Sequence, residues 1–367
     1  MGKGGAMMGY GITFVILLLA VVVERSLLRR RGLPGADWHE IAANLGSGHL
    51  IMWVGRSLEV AGYDLVFRNV GWEGLQRHLG PGIWVAGFLG WDLCFYCMHR
   101  MHHRIPLLWK VHEVHHQGRD FSLSLGIRNS WYSSLTSLPF MLPLAVAGVS
   151  TGVFLAVSAI HYGIQFYNHL NPALARSTPW LDRVIVTPTN HLAHHGSASY
   201  YRNCNFGSVL LLWDRCFGSY RPVLSDVPVA CGVGGWRPTA NPLWMNHGSW
   251  RGAGVPRKCC LAGWYVGSGA LLLFCAVALH VAGYGGPWRP MMMCGLIGGT
   301  MLLGAASDGS NWAAAGWCLL ATAMCAPLWD RPEWMALPAL AALALHGLLG
   351  AGILLKLPRP NSHKSPG

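Results

Sequence analysis

The sequence predicts an all-α, polytopic membrane protein, and three observations carry that prediction. Hydrophobic residues make up 52% of the chain and charged residues only 11%, against about 25% charged in ordinary soluble domains. The apolar residues are gathered into several long uncharged runs. The histidines, by contrast, crowd into the polar segments between runs: eleven of the eighteen fall between His99 and His195.

The first run, Gly9–Val23 (GYGITFVILLLAVVV), ends in ERSLLRRRG. A signal peptide would end at a small-residue cleavage site, so this run reads as a span. The cations between Arg25 and Arg31 favour the cytoplasm, which places Met1 outside. A weaker stretch, Ile83–Met98, holds Asp92 and leads straight into the histidines. The run Leu135–Ile160 contains Pro139, Pro143 and Gly148, and both its flanks, 99–133 and 161–258, are rich in Arg and Lys. Flanks that both favour the cytoplasm predict a bent helical hairpin that returns the chain to the same face. Leu261–Gly283, Met291–Ala306, Trp312–Trp329 and Met335–Leu355 reach or approach the roughly 20 residues a helix needs to cross a bilayer. The breaks GGPWRP (285–290), SDGSN (307–311) and DRPE (330–333) read as turns. The expected organisation is an N-terminal transmembrane and amphipathic region (1–80), a helical histidine-rich catalytic domain on the cytoplasmic face (81–258), about four additional C-terminal transmembrane helices (259–357) and a disordered tail (358–367).

The net charge of +12 fits positive-inside bias and contact with anionic lipid better than nucleic acid. No nucleic-acid partner is expected. Cys94 and Cys97 form a CxxC, but it lies in an apolar stretch without a second pair, so both read as packing residues. Cys259 and Cys260 read the same way, and Trp109, Trp180 and Trp213 read as interfacial or channel-wall residues.

His99 and His103 form an HxxxH; His112, His115 and His116 form an HxxHH; His191, His194 and His195 form a second HxxHH. Residues three and four apart share a helix face, so each cluster aims imidazoles at one point, a spacing that suits a divalent metal. Eight imidazoles exceed the four ligands zinc usually takes; two six-coordinate iron or manganese ions would use them. An all-nitrogen ligand set without Cys disfavours an iron–sulfur centre, and no carboxylate pair of the ferritin-like di-iron kind is read. Three other readings remain at this point: a histidine-lined metal transporter, a membrane metallohydrolase and a pH sensor. Asp92, two helical turns before His99, is expected to orient an imidazole or to pair with Arg128, and Asp214 to pair with Arg215 near the site.

The stretch DLCFYCMHRMHHRIPLLWKVHEVHH followed by GIRNS, and VTPTNHLAHHGS followed by CNFGSVLLLWDRCFGSY, resemble the two halves of the signature of the sterol desaturase/fatty acid hydroxylase superfamily. The resemblance covers about residues 85–222 and is most similar to the alkylglycerol monooxygenase branch. It implies a membrane-bound di-iron oxygenase that hydroxylates or desaturates a lipid C–H bond with O2. The implied metal ligands, which are also the catalytic residues, are His99, His103, His112, His115, His116, His191, His194 and His195. His169, in QFYNHLNP, falls where the family often has a further ligand. His102 is off the pattern, and His161 reads as a packing residue or a support to a ligand. Leu192, Gln117–Gly118 and Asn171 depart from that branch, so the substrate stays open among sterol, fatty acyl and ether lipid. No flavin, haem or dinucleotide motif is apparent, so an external reductant is expected: a pterin or a cytochrome- or ferredoxin-type donor protein. Residence in a bacterial inner membrane or the endoplasmic reticulum, active site toward the cytoplasm, follows from the same reading.

Overall fold

A computed structural model describes residues 3–72, 74–175, 180–235, 238–248, 261–281, 283, 286–324 and 337–356. Among them the chain is helical, with no strand and a single isolated antiparallel bridge between Ile185 and Leu210. Fifteen α-helices are described. They are α1 (Lys3–Arg30), α2 (Trp38–Gly46), α3 (His49–Val70), α4 (Gly74–Leu79), α5 (Ile83–Arg104), α6 (Pro106–His116), α7 (Ser133–Ala147), α8 (Thr151–Asn168), α9 (Pro188–His194), α10 (Leu212–Cys216), α11 (Pro242–His247), α12 (Gly263–Val281), α13 (Arg289–Ser307), α14 (Asn311–Ala323) and α15 (Leu337–Leu355).

Two apolar cores organise the helices. One is built from Leu18 and Val21 of α1, Ile41 and Leu45 of α2, and residues of the C-terminal helices such as Tyr265, Leu273, Leu296, Trp317 and Leu343. The other joins Tyr63 of α3, Trp91 of α5, Met141 and Leu144 of α7, and Val153, Phe154 and Val157 of α8. The N-terminal helices thus divide between the cores: α2 packs on α12, and α3 on α7.

The four C-terminal helices α12 to α15 stand where the apolar runs put them. Helices α12, α13 and α15 are each 19 residues long with mean hydropathies of 1.8, 1.4 and 1.9, enough to cross a membrane. Leu345, Leu348 and Leu349 of α15 are exposed, a pattern costly in water and satisfied by lipid. The chain is an integral membrane protein. The expected turn at 307–311 is present, with Gly309 at φ +92°. DRPE, the tail 358–367, Cys259 and Cys260 lie outside the described residues.

The run 135–160 folds as two helices, α7 and α8, joined at Gly148. Gly148 caps α7 at φ +97°, and a Cβ there would overlap the Trp72 carbonyl oxygen; only glycine takes this conformation freely. Tyr63 Oη donates to Val149 O (2.9 Å), holding the turn from α3. Both helices pack on α5. The chain therefore doubles back, and the end of α8 returns to the region it left before α7.

Candidate metal centre

The local fold of each histidine segment sets where its imidazoles point. Helix α5 carries His99 and His103 on one face, and α6 carries His112, His115 and His116. Pro106 opens α6 at its first turn, where its missing N–H costs nothing. Pro188 does the same for α9, which presents His191 and His194, with His195 as its C-cap. His169 caps α8.

The nine histidines converge in two adjacent groups. His99, His103, His112, His116 and His194 bring ligand nitrogens within 4.8 Å of one another; so do His115, His169, His191 and His195. His116 and His195 link the groups, their ring centroids 4.4 Å apart. His102 belongs to neither, and instead bonds Met98 O and Thr136 Oγ1. His161 is also outside, packed between Phe88 and Trp91.

Backbone carbonyls fix four of the rings. His99 Nδ1–H donates to Phe206 O (2.9 Å), His115 to Arg128 O (2.9 Å), His169 to Gln165 O (2.8 Å) and His194 to Cys204 O (2.8 Å). A carbonyl only accepts, so each Nδ1 carries the proton and each Nε2 presents a lone pair. The Nε2 atoms of neighbouring rings crowd together, and at His115–His169 two such lone pairs face each other. Nε2–Nε2 separations are 3.0 Å for His99–His112, 3.2 Å for His112–His116, 3.1 Å for His116–His194, 3.2 Å for His115–His169 and 3.0 Å for His169–His191. Neighbouring donors around one ion, each about 2.0–2.1 Å from it, sit about 3 Å apart at right angles. His103 Nε2 and His195 Nε2 are buried without a hydrogen-bond partner, as a cation's ligands would be in its absence. The donor set fits two metal ions.

Burial keeps these rings neutral. It pushes His115 down to about 4, with the Arg128 carbonyl opposing and the Arg128 charge reinforcing, and His194 down to about 3, with the Cys204 carbonyl opposing. His112, His116, His191 and His195 are lowered well below the ordinary imidazole range by burial first and by neighbouring histidines second. Neutral imidazole is the ligating form.

The supports differ from the sequence expectations. Asp92 touches none of the nine histidines and does not meet Arg128. Its carboxylate accepts from Val209 N, Leu210 N and Trp213 Nε1, with His161 Nδ1 3.5 Å away. A buried carboxylate this close to backbone N–H groups takes them in preference to a distant cation. Arg128 serves through its carbonyl, while its guanidinium is held by Val114 O, Asn44 Oδ1 and Gln117 Oε1. Asp214 pairs not with Arg215 but with Phe206 N, Gly207 N and Ser219 Oγ, at 2.7–2.8 Å. It clamps the loop whose Phe206 carbonyl orients His99. Arg215 Nε donates to Arg183 O. Trp213 is a bond donor rather than only a wall. Trp180 is exposed and Trp109 lies 5.1 Å from the His103 ring.

Sequence reasoning missed two further contributors and one motif. Asn203 and Asn205 adopt left-handed φ of 57° and 52°, and this kink aims the Cys204 and Phe206 carbonyls at His194 and His99; the NCNFG string carried that signal. Glu24 of α1 accepts from Leu123 N and Asn171 N (both 2.8 Å), tying together the loops after His116 and His169. Glu113, within HEVHH, has both the E-x-x-H spacing to His116 and the H-E-x-x-H spacing of a hydrolase helix, which the sequence reading passed over. Glu113 is buried 3.7 Å from Lys110 Nζ and belongs to neither histidine group. At Gly118, a departure from the family pattern, a Cβ would press on the Leu125 side chain, which would have to shift.

Residues 84–219 match the fatty acid hydroxylase family model. The chain is 29% identical to the alkylglycerol monooxygenase of Homo sapiens over 210 residues, 56% of this chain and 46% of that protein. It is 29% identical over 166 residues to the ornithine lipid hydroxylase of Rhizobium tropici, covering 42% of this chain and 49% of that one. It is 29% identical over 178 residues to the Delta(7)-sterol 5(6)-desaturase of Leptosphaeria maculans, covering 44% and 43%. Less than half the length of each of these relatives is matched. No solved structure matches. The matched segment, residues 84–219, holds all nine clustered histidines.

Proposed function

We propose that the nine histidines hold two iron ions, five on one and four on the other, and that the protein hydroxylates a C–H bond of a membrane lipid using O2 and external electrons. The observation that carries this reading is the pair of touching, buried groups of neutral imidazoles, whose Nε2 atoms crowd together and oppose lone pairs at His115 and His169. Bound irons would supply O2 activation and oxidation of the C–H bond. The chain's own residues supply the rest. Carbonyls of Phe206, Arg128, Gln165 and Cys204 lock ring orientation, which second-layer partners commonly do for metal-bound imidazoles. Burial excludes water, and the apolar helices bring the protein to its lipid substrate. Names of relatives as monooxygenase, hydroxylase and desaturase support an oxidoreductase. The desaturase among them supports a second outcome, C=C formation at the same site. The lipid class is sterol, fatty acyl, ether lipid or, by the name of the bacterial relative, an ornithine lipid. The cations Arg25, Arg29 and Arg30 in the last turns of α1, with Arg31 just after it, support a cytoplasmic active-site face.

Lipid analysis of a host membrane with and without the protein tests this. The expected change is a lipid that has gained one oxygen or lost two hydrogens, absent when His115→Ala or His194→Ala is expressed at equal level. An unchanged lipid profile from iron-loaded protein in air would overturn the reading.

A further inference from the structure

The sequence of α1 holds one carboxylate, Glu24. It stands on a buried stripe with Leu18, Val21 and Leu28, at the spacing of one helix face. A charge on such a stripe is costly unless it is partnered. Glu24 is partnered on both oxygens: Oε2 accepts from Leu123 N–H and Oε1 from Asn171 N–H, each at 2.8 Å. Glu24 lies outside the matched segment 84–219, yet both of its partners lie inside it.

Both partners lead to the same group of histidines. The segment 121–128, gripped at Leu123, reaches every member of the four-histidine group. The Phe121 ring lies 5.7 Å from the His169 ring and close to parallel with it (23°), 6.1 Å from His191 and 5.6 Å from His195. Gly126 packs so near His169 that a Cβ there would come within 3.0 Å of Nδ1. The Arg128 carbonyl accepts from His115 Nδ1–H. Asn171, the other partner, follows His169 by two residues, and its Nδ2 donates to Phe121 O (3.4 Å). The five-histidine group is held from elsewhere: His99 and His194 bond the carbonyls of Phe206 and Cys204, in the loop that Asp214 clamps.

We propose that Glu24 is the positioning residue of the four-histidine ion, so that a helix read as a membrane span sets the affinity of one ion and not of the other. The inference rests on the two-ion reading above. Asp214 is its counterpart at the five-histidine group. A carboxylate accepts through both oxygens at once, whereas an amide accepts through one and turns N–H toward the second donor. Glu24→Gln therefore releases either the 121–128 segment or the chain after His169. Either release loosens the four rings that these segments hold and leaves the Phe206 and Cys204 carbonyls in place.

The test follows iron release to a chelator, at fixed pH, from the full-length iron-loaded protein in detergent. His103→Ala and His169→Ala assign the two phases of release to the two ions. Glu24→Gln is compared with Glu59→Gln, whose carboxylate is as deeply buried but accepts from Arg56 and Ser137 Oγ and belongs to neither histidine group. The expected result in Glu24→Gln is iron held about 10–100-fold more weakly in the phase that His169→Ala removes, with the other phase unmoved. Both phases should stay in place in Glu59→Gln. Mössbauer spectra should show the same selectivity: the signal missing in His169→Ala is altered in Glu24→Gln, and the signal missing in His103→Ala is not. Should circular dichroism show that Glu24→Gln does not fold, Phe121→Leu carries the same expectation, since it keeps the carboxylate and removes the ring from His169, His191 and His195. Equal weakening of both phases, or of neither, in whichever variant folds overturns the inference, as does the same selective loss in Glu59→Gln. A wild type that releases a single iron defeats instead the two-ion reading on which the inference rests.

Discussion

His115 Nε2 and His169 Nε2 stand 3.2 Å apart, and both are lone-pair atoms. The Arg128 and Gln165 carbonyls take the only proton each neutral ring has. Two buried lone pairs at that distance repel unless a cation lies between them. They come from segments 54 residues apart, brought together by the return of α8.

That pairing separates the two ions. His169→Ala should lower bound iron by about one ion per chain, and His103→Ala should remove the other, each leaving the remaining group intact. Metal analysis of purified protein, with circular dichroism to confirm retained helix, checks this. Two full equivalents in His169→Ala would sink the two-group assignment.

Acid should strip the metal. The folded pKa values of His115 (about 4) and His194 (about 3) lie below their ordinary 6.5, so the fold favours the neutral ring. That contribution is whole above about pH 6.5 and is lost as pH falls toward the folded values. Protons and metal compete over the same window. Iron retention and the thermal midpoint should both decline between about pH 6.5 and pH 4, more steeply in the wild type than in His115→Ala.

Asp214 offers a test of remote support. Asp214→Asn places an amide NH2 against either the Phe206 or the Gly207 N–H, because the two donate to different carboxylate oxygens. Leaving buried donors facing each other costs about 1–3 kcal/mol, and loosening the Phe206 carbonyl should weaken iron binding about 10–100-fold. A chelator competition at fixed pH measures this. Unchanged affinity in a folded variant would mean that the clamp on His99 is not needed.

The α7–α8 turn depends on Gly148. Gly148→Ala forces φ +97° on a residue with a Cβ and drives that Cβ into Trp72, costing at least about 1–3 kcal/mol. The thermal midpoint in detergent should fall, and iron content should fall with it because His169 is displaced.

His102 is the control. It bonds Met98 O and Thr136 Oγ1 and lies outside both groups. His102→Ala should keep both irons and lose only modest stability, about 1 kcal/mol for each hydrogen bond removed. Loss of an iron there would redraw the ligand set.

The sequence by itself determined the helical membrane architecture and the groups of histidines that share a face. Both rest on local regularity: hydrophobic run length against bilayer thickness, and i, i+3, i+4 spacing on a helix. It also foretold the doubling back at 135–160, because cationic flanks on both sides must share a face. Only the tertiary structure decided how nine rings divide five and four, since that depends on side-chain directions from four separated segments. It also moved Asp92 and Asp214 from expected partners to backbone N–H groups of the 206–210 loop. A carboxylate's partner is whatever donor the fold brings within 3 Å, and no spacing along the chain encodes that. The rings' protonation was equally hidden, because it is set by carbonyls of Phe206, Arg128, Gln165 and Cys204, and every residue has a carbonyl.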